Sequence, residues 1–305
     1  MRVTQSMLAS NSLRNLSKSY ADLGKYQDQL HTGKKISRPS DDPVVAIKGM
    51  FYRTNLTEVE QYQRNLTEAY TWMENSEAGI EQATQVMHRV RELLVNGKNG
   101  TNNADSLKAI AVEITQLRED MIGVANTQVA GRYIFNGTDT MQPPITVNND
   151  GTVTLDNMKT TPFSVEVSKG VQLKVNIDPS NVFSKDLLGE GNGDGTGGTL
   201  AKIIEFLNGV PNTNHDPDKL LDELDAQFSQ ISAERSELGA RYNRLELIDD
   251  RLGNQEVIAN RILSANEDVD MERVITNLTV QESVHRASLA ASSRIIQPTL
   301  IDFLR

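Results

Sequence analysis

The sequence predicts a mainly α protein, a long antiparallel coiled-coil helical rod formed by N- and C-terminal arms, with a small β-rich inserted domain. In four long runs, apolar residues recur alternately three and four positions apart, the spacing of packed helices rather than of strands. Turn-forming residues separate the runs, and the middle of the chain changes to short alternating segments. Only 38% of residues are hydrophobic and 5% aromatic, which suits narrow apolar stripes on long helices.

The helical periodicity covers residues 9–30, 59–94 and 107–124 in the N-terminal half and residues 221–263 in the C-terminal half. At about 1.5 Å per residue, the second run alone predicts a helix more than about 50 Å long. If each stripe is to be buried within one chain, the two halves must pair antiparallel, with the insert at the far end.

Helix boundaries are marked by capping and turn residues. Two prolines separate the first two runs, and Asp42 is placed to cap the second helix with Pro43 at its first position. Residues 96–103 are rich in Asn and Gly and predict a link. We expect Asp105 or Ser106 to start the third helix.

The middle of the chain predicts two β-hairpins and a short helix. Residues 145–147 and 152–155 form the first hairpin, 163–167 and 171–177 the second, and 200–207 the helix. The predicted segments are an N-terminal assembly helix (1–40), the N-terminal half of the rod (41–139), a variable β-rich insert (140–210), the C-terminal half of the rod (211–264) and a C-terminal assembly helix (265–305).

Charge and cysteine content exclude several classes of protein. The net charge is −10, with 31 Lys and Arg against 41 Asp and Glu, which argues against nucleic acid as the main partner. The absence of cysteine excludes disulfides, thiolate catalysis, cysteine zinc sites and iron–sulfur clusters. We find no apolar run long enough to span a membrane and no apolar core of a cleaved signal peptide. We therefore expect a cytosolic protein, or one exported without a cleaved signal.

Recognisable catalytic and metal-binding patterns are missing from the sequence. The four histidines lack metal-ligand spacing, and no nucleophile elbow or dinucleotide fingerprint occurs. The Gly-rich stretch 189–198 predicts a solvated loop, and Glu267 to Asp270 predict a capped helix start on a solvated face. We expect no enzymatic activity, no cofactor and no metal.

Both ends of the chain are apolar, whereas termini are usually polar and frayed. The two ends either pair with each other within the chain or form interfaces between subunits. In the second case we expect them to be largely disordered in the free chain and to become ordered on assembly. The predicted assembly-interface residues are Leu13, Leu16, Leu23, Leu30, Leu278, Val284, Ala287, Ala291, Leu300, Phe303 and Leu304. Residues 1–38 also hold seven basic side chains against two acidic ones, and we expect this polar side to meet acidic neighbours in an assembly rather than lipid or nucleic acid.

Several motifs resemble the flagellin superfamily. Residues 29–43 resemble the turn after its first helix, and residues 277–304 resemble its C-terminal helix, which pairs with the N-terminal one. Residues 131–138, Gly-Arg-Tyr-Ile-Phe-Asn-Gly-Thr, are similar to the branch at the junction of hook and filament. So is the family turn motif formed by Arg38, Pro39, Ser40, Asp41, Asp42 and Pro43.

This resemblance implies a structural adaptor of the bacterial flagellum rather than an enzyme. It implies type III export without a cleaved signal and an extracellular place at the hook–filament junction. The implied partners are other copies of the chain in a ring or helical layer, the first hook-associated protein on the hook side, flagellin on the filament side and an export chaperone. Neither nucleic acid nor membrane insertion is implied.

Three alternatives differ in testable ways. A filament flagellin would share the fold and polymerise by itself. A secreted enzyme would carry a hydrolase in the insert, which lacks a metal or nucleophile signature. A cytosolic helical signalling rod would tolerate deletion of its last residues.

Overall fold

The computed structural model describes residues 5–99, 102–147, 153–155, 157–190, 197–209 and 216–296. Its helices are α1 (Gln5–Thr32), α2 (Pro43–Lys98), α3 (Ala104–Ala125), α4 (Pro179–Val182), α5 (Lys185–Leu188), α6 (Thr199–Leu207), α7 (Pro217–Glu267) and α8 (Met271–Ile296). Its strands are β1 (Gln128–Val129), β2 (Arg132–Tyr133), β3 (Thr146–Val147), β4 (Val153–Thr154), β5 (Ser164–Ser168) and β6 (Val171–Lys174). The predicted mainly α class, with long helices and a small strand-containing region, is confirmed.

The chain divides into two compact units. The first comprises Met1–Glu58 and Asn254–Arg305, and the second comprises Val59–Gly253. Helices α2 and α7 therefore each contribute to both units. The five segments expected from the sequence stay a prediction.

The second unit is built on α2, α3 and α7. Buried positions follow the predicted stripe of α2 through Leu66, Met73, Ile80 and Met87, all at most 1% exposed. Ion pairs join α2 to α7, with Arg235 Nε 2.7 Å from Glu77 Oε1 and Arg91 Nε 2.8 Å from Asp225 Oδ1. Because partner numbers fall along α7 as they rise along α2, these two helices run antiparallel.

The strand-containing region packs onto this helical core through aromatic pairs. Trp72 of α2 has its ring centroid 5.2 Å from that of Phe163. Phe135 packs against Gly79 of α2, where a Cβ would lie 2.5 Å from its ring, and its centroid is 5.1 Å from that of Phe183. Both predicted hairpins are confirmed, since β3 pairs with β4 and β5 with β6, each antiparallel. The helix predicted at 200–207 is confirmed as α6. Positions 148–152 of the first hairpin lie outside the described residues.

Two local features differ from expectation. Asn103, not Asp105 or Ser106, caps α3, because its side chain accepts the Ser106 amide at 2.8 Å. The short hairpin of β1 and β2 was not predicted, and positive φ values at Ala130 (51°) and Gly131 (77°) form its turn.

Candidate assembly site

The first unit pairs the two ends of the chain. Gln281 Nε2 donates to Ser19 Oγ at 3.2 Å, and Val269 N donates to Gly33 O at 2.9 Å. Residue numbers fall along α8 as they rise along α1, so the helices are antiparallel, as predicted for the two arms.

The face of α1 that meets α8 is partly polar. Ser19 is buried, whereas Leu16 and Leu23 are half-buried. Leu13 and Tyr20, which the spacing places on the seam, are 58% and 70% exposed. Because the Ser19–Gln281 pair occupies part of the contact, an uninterrupted apolar seam between α1 and α8 is not formed within one chain.

Most predicted assembly residues in the described part of the chain remain accessible to solvent. The exposed ones are Leu13, Leu30, Val284, Ala287 and Ala291. The half-buried ones are Leu16, Leu23 and Leu278. Leu300, Phe303 and Leu304 lie outside the described residues. The role of this whole set in assembly stays a prediction.

A buried carboxylate at the end of α7 links three parts of the first unit. Glu267, at the end of α7, is 6% exposed. Its Oε2 accepts from Lys34 Nζ at 2.9 Å and from an Arg53 guanidinium nitrogen of α2 at 2.6 Å. Gly49 makes room for it, since a Cβ at this position would lie 2.6 Å from Glu267 Oε1. We call Lys34, Arg53 and Glu267 the carboxylate clasp.

The clasp favours the charged form of its carboxyl group. Burial on its own would raise the pKa of Glu267. Hydrogen bonds from Arg53 and Lys34 and the charges of both outweigh burial, so the pKa lies below its ordinary value of 4.5. On the other side of the pair, the hydrogen bond to Glu267 raises the pKa of Arg53.

Backbone contacts reinforce the clasp. Lys35 N donates to Glu267 O at 2.7 Å, and Lys34 forms an antiparallel β-bridge with Asp268. Lys35 Nζ donates to Ala265 O at 2.7 Å, which supplies a cation to the C-terminal end of α7. Gly33 has a φ of 69° and ends α1, a left-handed conformation that glycine adopts without a Cβ penalty.

The family turn motif forms the link from the clasp into α2. Asp42 Oδ1 accepts the amides of Val44 and Val45 at 3.0 and 3.2 Å, which confirms the predicted cap with Pro43 at the first helical position. Asp41 Oδ2 accepts the Arg38 amide at 2.9 Å and so closes the turn.

The turn also borders a cavity beside the clasp. This cavity, of about 150 Å³, has walls that include Arg38, Pro39 and Met50 together with Lys34 and Glu267. The motif therefore packs against the charged centre of the first unit rather than only connecting two helices.

The sequence contains no local signal for the clasp residues. Glu267 was expected on a solvated face, which is wrong because the first unit buries it against α2. The expected capped helix start is present at Asp270, whose Oδ1 accepts the Arg273 amide at 3.2 Å. The partners of Glu267 lie 214 and 233 positions away, so no local pattern marks the pair.

Across the described ranges, no group of three or more His, Asp or Glu residues is arranged to hold a metal ion. In that same part of the chain, no helix is both long and apolar enough to cross a membrane.

Known proteins share this organisation. Residues 3–140 match the family described as the bacterial flagellin N-terminal helical region, and residues 221–304 match the bacterial flagellin C-terminal helical region. Flagellar hook-associated protein 3 of Escherichia coli (strain K12) is 25% identical, over 95% of this chain and 96% of its own length. Flagellin of Bacillus subtilis (strain 168) is 26% identical, over 95% and 94%.

A solved structure shares the fold. It is that of a putative flagellar hook-associated protein from Vibrio parahaemolyticus, with a TM-score of 0.64 and 21% identity, covering 75% of this chain and all of the other. The two matched helical regions correspond to the parts of the sequence that supply both arms of the structure. The chain therefore belongs to the bacterial flagellin family.

Proposed function

We propose that this chain is a structural adaptor of the bacterial flagellum that joins the hook to the filament. One observation carries the proposal: the ends of the chain form a helix pair, in a flagellin-family fold, that leaves apolar side chains such as Leu13 and Val284 in solvent. Exposed apolar faces on a helix pair are the surfaces that subunits bury when they assemble.

Burial of these exposed side chains by neighbouring subunits supplies the free energy of assembly. Burial of each large apolar side chain contributes about 1.5–3 kcal/mol, which must exceed the conformational entropy that side chains lose at the interface. The neighbours are other copies of the chain in a ring or helical layer, the first hook-associated protein towards the hook and flagellin towards the filament. The chain acts without enzymatic activity or cofactor and contacts neither nucleic acid nor membrane.

Export precedes assembly in this proposal. The chain travels unfolded through the flagellar type III apparatus with an export chaperone, keeps its N-terminus and reaches the extracellular junction. The absence of cysteine supports this route, since no disulfide has to be opened before the chain unfolds.

Filament flagellin is the second candidate function, because the Bacillus subtilis flagellin is as similar as the hook-associated relative. The turn at residues 38–43 and the stretch at residues 131–138 favour the junction. They resemble the junction branch more closely than the filament branch.

Immunogold electron microscopy of isolated flagella separates the two. We expect label from an antibody to this chain only between hook and filament. Label along the whole filament would make the chain a flagellin, and unlabelled flagella would contradict both functions.

A further inference from the structure

Two exposed patches of the first unit combine apolar side chains with opposite charge. The α2 patch comprises Val44, Ile47 and Phe51, which are 61–66% exposed, together with the exposed cation Lys48. These three apolar side chains lie within two turns of one helix and are left mostly in solvent by the described part of the chain, where Phe51 has an edge contact with Tyr52.

The second patch lies where α7 meets α8. It comprises Met271 and Ile275, which are 42% and 51% exposed, and the exposed acids Asp268, Asp270 and Glu272. Its side chains are therefore also apolar, but its charge is negative. We call it the α8 patch.

The two patches cannot meet within one copy. Gly49 faces the clasp, because a Cβ at this position would point at the Glu267 carboxylate and lie 2.6 Å from its Oε1. At about 100° per residue, Ile47 and Phe51 lie roughly opposite Gly49 around the helix, and Val44 lies about 140° from it. The α2 patch thus points away from the α7–α8 link of its own chain.

We propose that the α2 patch of one copy binds the α8 patch of the next copy. Contact between two different patches is heterologous, and repetition of such a contact generates a ring or a helical layer rather than a closed dimer. The apolar side chains supply the buried area, and Lys48 opposite Asp268 and Glu272 sets orientation and register. This inference rests on the proposed function, which supplies a second copy as the neighbour.

Disulfide cross-linking tests the contact directly, because the chain has no cysteine of its own. Chains carrying Ile47→Cys and Ile275→Cys, with different tags, are produced together in cells that lack the native chain. Flagella are then isolated and oxidised with copper phenanthroline. We expect a dimer that contains both tags, and a ladder of larger products from the doubly substituted chain.

Several outcomes overturn the contact. Cross-links between two Ile47→Cys chains would mean that identical patches meet. No product, or no more than with Ile47→Cys and Met141→Cys, would mean that the patches do not meet. Met141 is the matched control because it is 74% exposed and lies in the second unit.

Charge exchange gives an independent measurement. Lys48→Glu in the Ile47→Cys chain lowers the yield of cross-linked product about tenfold, because like charges then face each other, and Glu272→Lys in the Ile275→Cys chain restores it. Lys169→Glu, at the exposed turn between β5 and β6, is the control and leaves the yield unchanged. The pairing is contradicted if Lys169→Glu lowers the yield as much as Lys48→Glu does. It is also contradicted if Glu272→Lys fails to restore the yield.

The same preparations separate this inference from the proposed function. If immunogold label is at the junction but the cysteines fail to cross-link, only the inference is wrong. If the label is elsewhere, the junction proposal fails whatever the cross-links show.

Discussion

Glu267 holds together parts of the chain that are distant in sequence. Its carboxylate is buried, whereas Lys34 and Arg53 are 44% and 56% exposed. The two cations therefore keep part of their hydration while the carboxylate depends on them for its hydrogen bonds. Removal of the acid costs less than removal of both bases, which would leave a buried charge without a partner.

Glu267→Ala lowers the free energy of unfolding by about 1–3 kcal/mol, because it removes two charge-assisted hydrogen bonds and a packed side chain. Glu267→Gln keeps the shape of the side chain but removes its charge, so we expect a smaller decrease in the free energy of unfolding. Urea denaturation followed by circular dichroism measures both. Glu272→Gln is the control in the same unit, since Glu272 is exposed. Equal stability of Glu267→Ala and the unsubstituted chain would show that the clasp contributes nothing.

The clasp also has a defined pH dependence. The pKa of Glu267 is lower in the folded chain than its ordinary value of 4.5, so the charged carboxylate stabilises the folded state above that pH. This contribution is lost as the pH falls below 4.5 through the folded pKa. The stability difference between the unsubstituted chain and Glu267→Gln should therefore shrink between pH 6 and pH 3. A difference that stays constant over this range, measured by urea denaturation, would contradict the assignment.

At the scale of the elements, the long helices and both main hairpins were predictable because their signals are local. The spacing of apolar residues predicted α2, α3 and α7, and alternation between turn residues predicted β3 to β6. The β1–β2 hairpin was missed because its two-residue strands are too short to show alternation. Within α7, Gln227 and Glu234 are buried although polar. Glu234 accepts the amide of Asp178, 56 positions away, and periodicity carries no information about such a partner.

Two helical glycines in the second unit differ in the space available for a side chain. A Cβ on Gly79 of α2 would lie 2.5 Å from Phe135, a ring that is fully buried and packed on Phe183. A Cβ on Gly239 of α7 would meet nothing within 4 Å.

We expect Gly239→Ala to raise the free energy of unfolding by about 0.5–1 kcal/mol through helix propensity. Gly79→Ala should lower it by about 1–3 kcal/mol, because overpacking outweighs the same gain in propensity. Urea denaturation of the two variants checks the opposite signs. If both substitutions raised the free energy of unfolding, the Phe135 ring would be able to move away from α2 with little loss of packing energy.

For the whole molecule, the sequence predicted the pairing of the two ends but not which side chains it leaves exposed. The polar contact between Ser19 and Gln281 replaces apolar packing in part of the α1–α8 interface. Leu13 stays mostly exposed, and so does Tyr20, whose ring reaches only His285 of α8 at 6.0 Å between centroids among the ring contacts of the described residues. The buried apolar cluster of the described chain lies in the second unit, whereas apolar side chains on both α1 and α8 of the first unit stay exposed. Such exposure is what an assembling subunit requires, since the surface to be buried by neighbours must be accessible beforehand.

Leu13→Asp separates assembly from folding. Leu13 is 58% exposed, so the substitution leaves the circular dichroism and the urea midpoint of the free chain nearly unchanged. In an assembly it forfeits about 1.5–3 kcal/mol of apolar burial per copy and places a carboxylate in a dry contact. We expect cells that carry only this variant to secrete the chain into the medium with few labelled junctions and reduced motility. Met141→Asp, at a side chain of the second unit that is 74% exposed, is the control and should assemble normally. Normal junctions with Leu13→Asp would show that this face of α1 is not buried by any neighbour, and reduced secretion would instead place the defect in export.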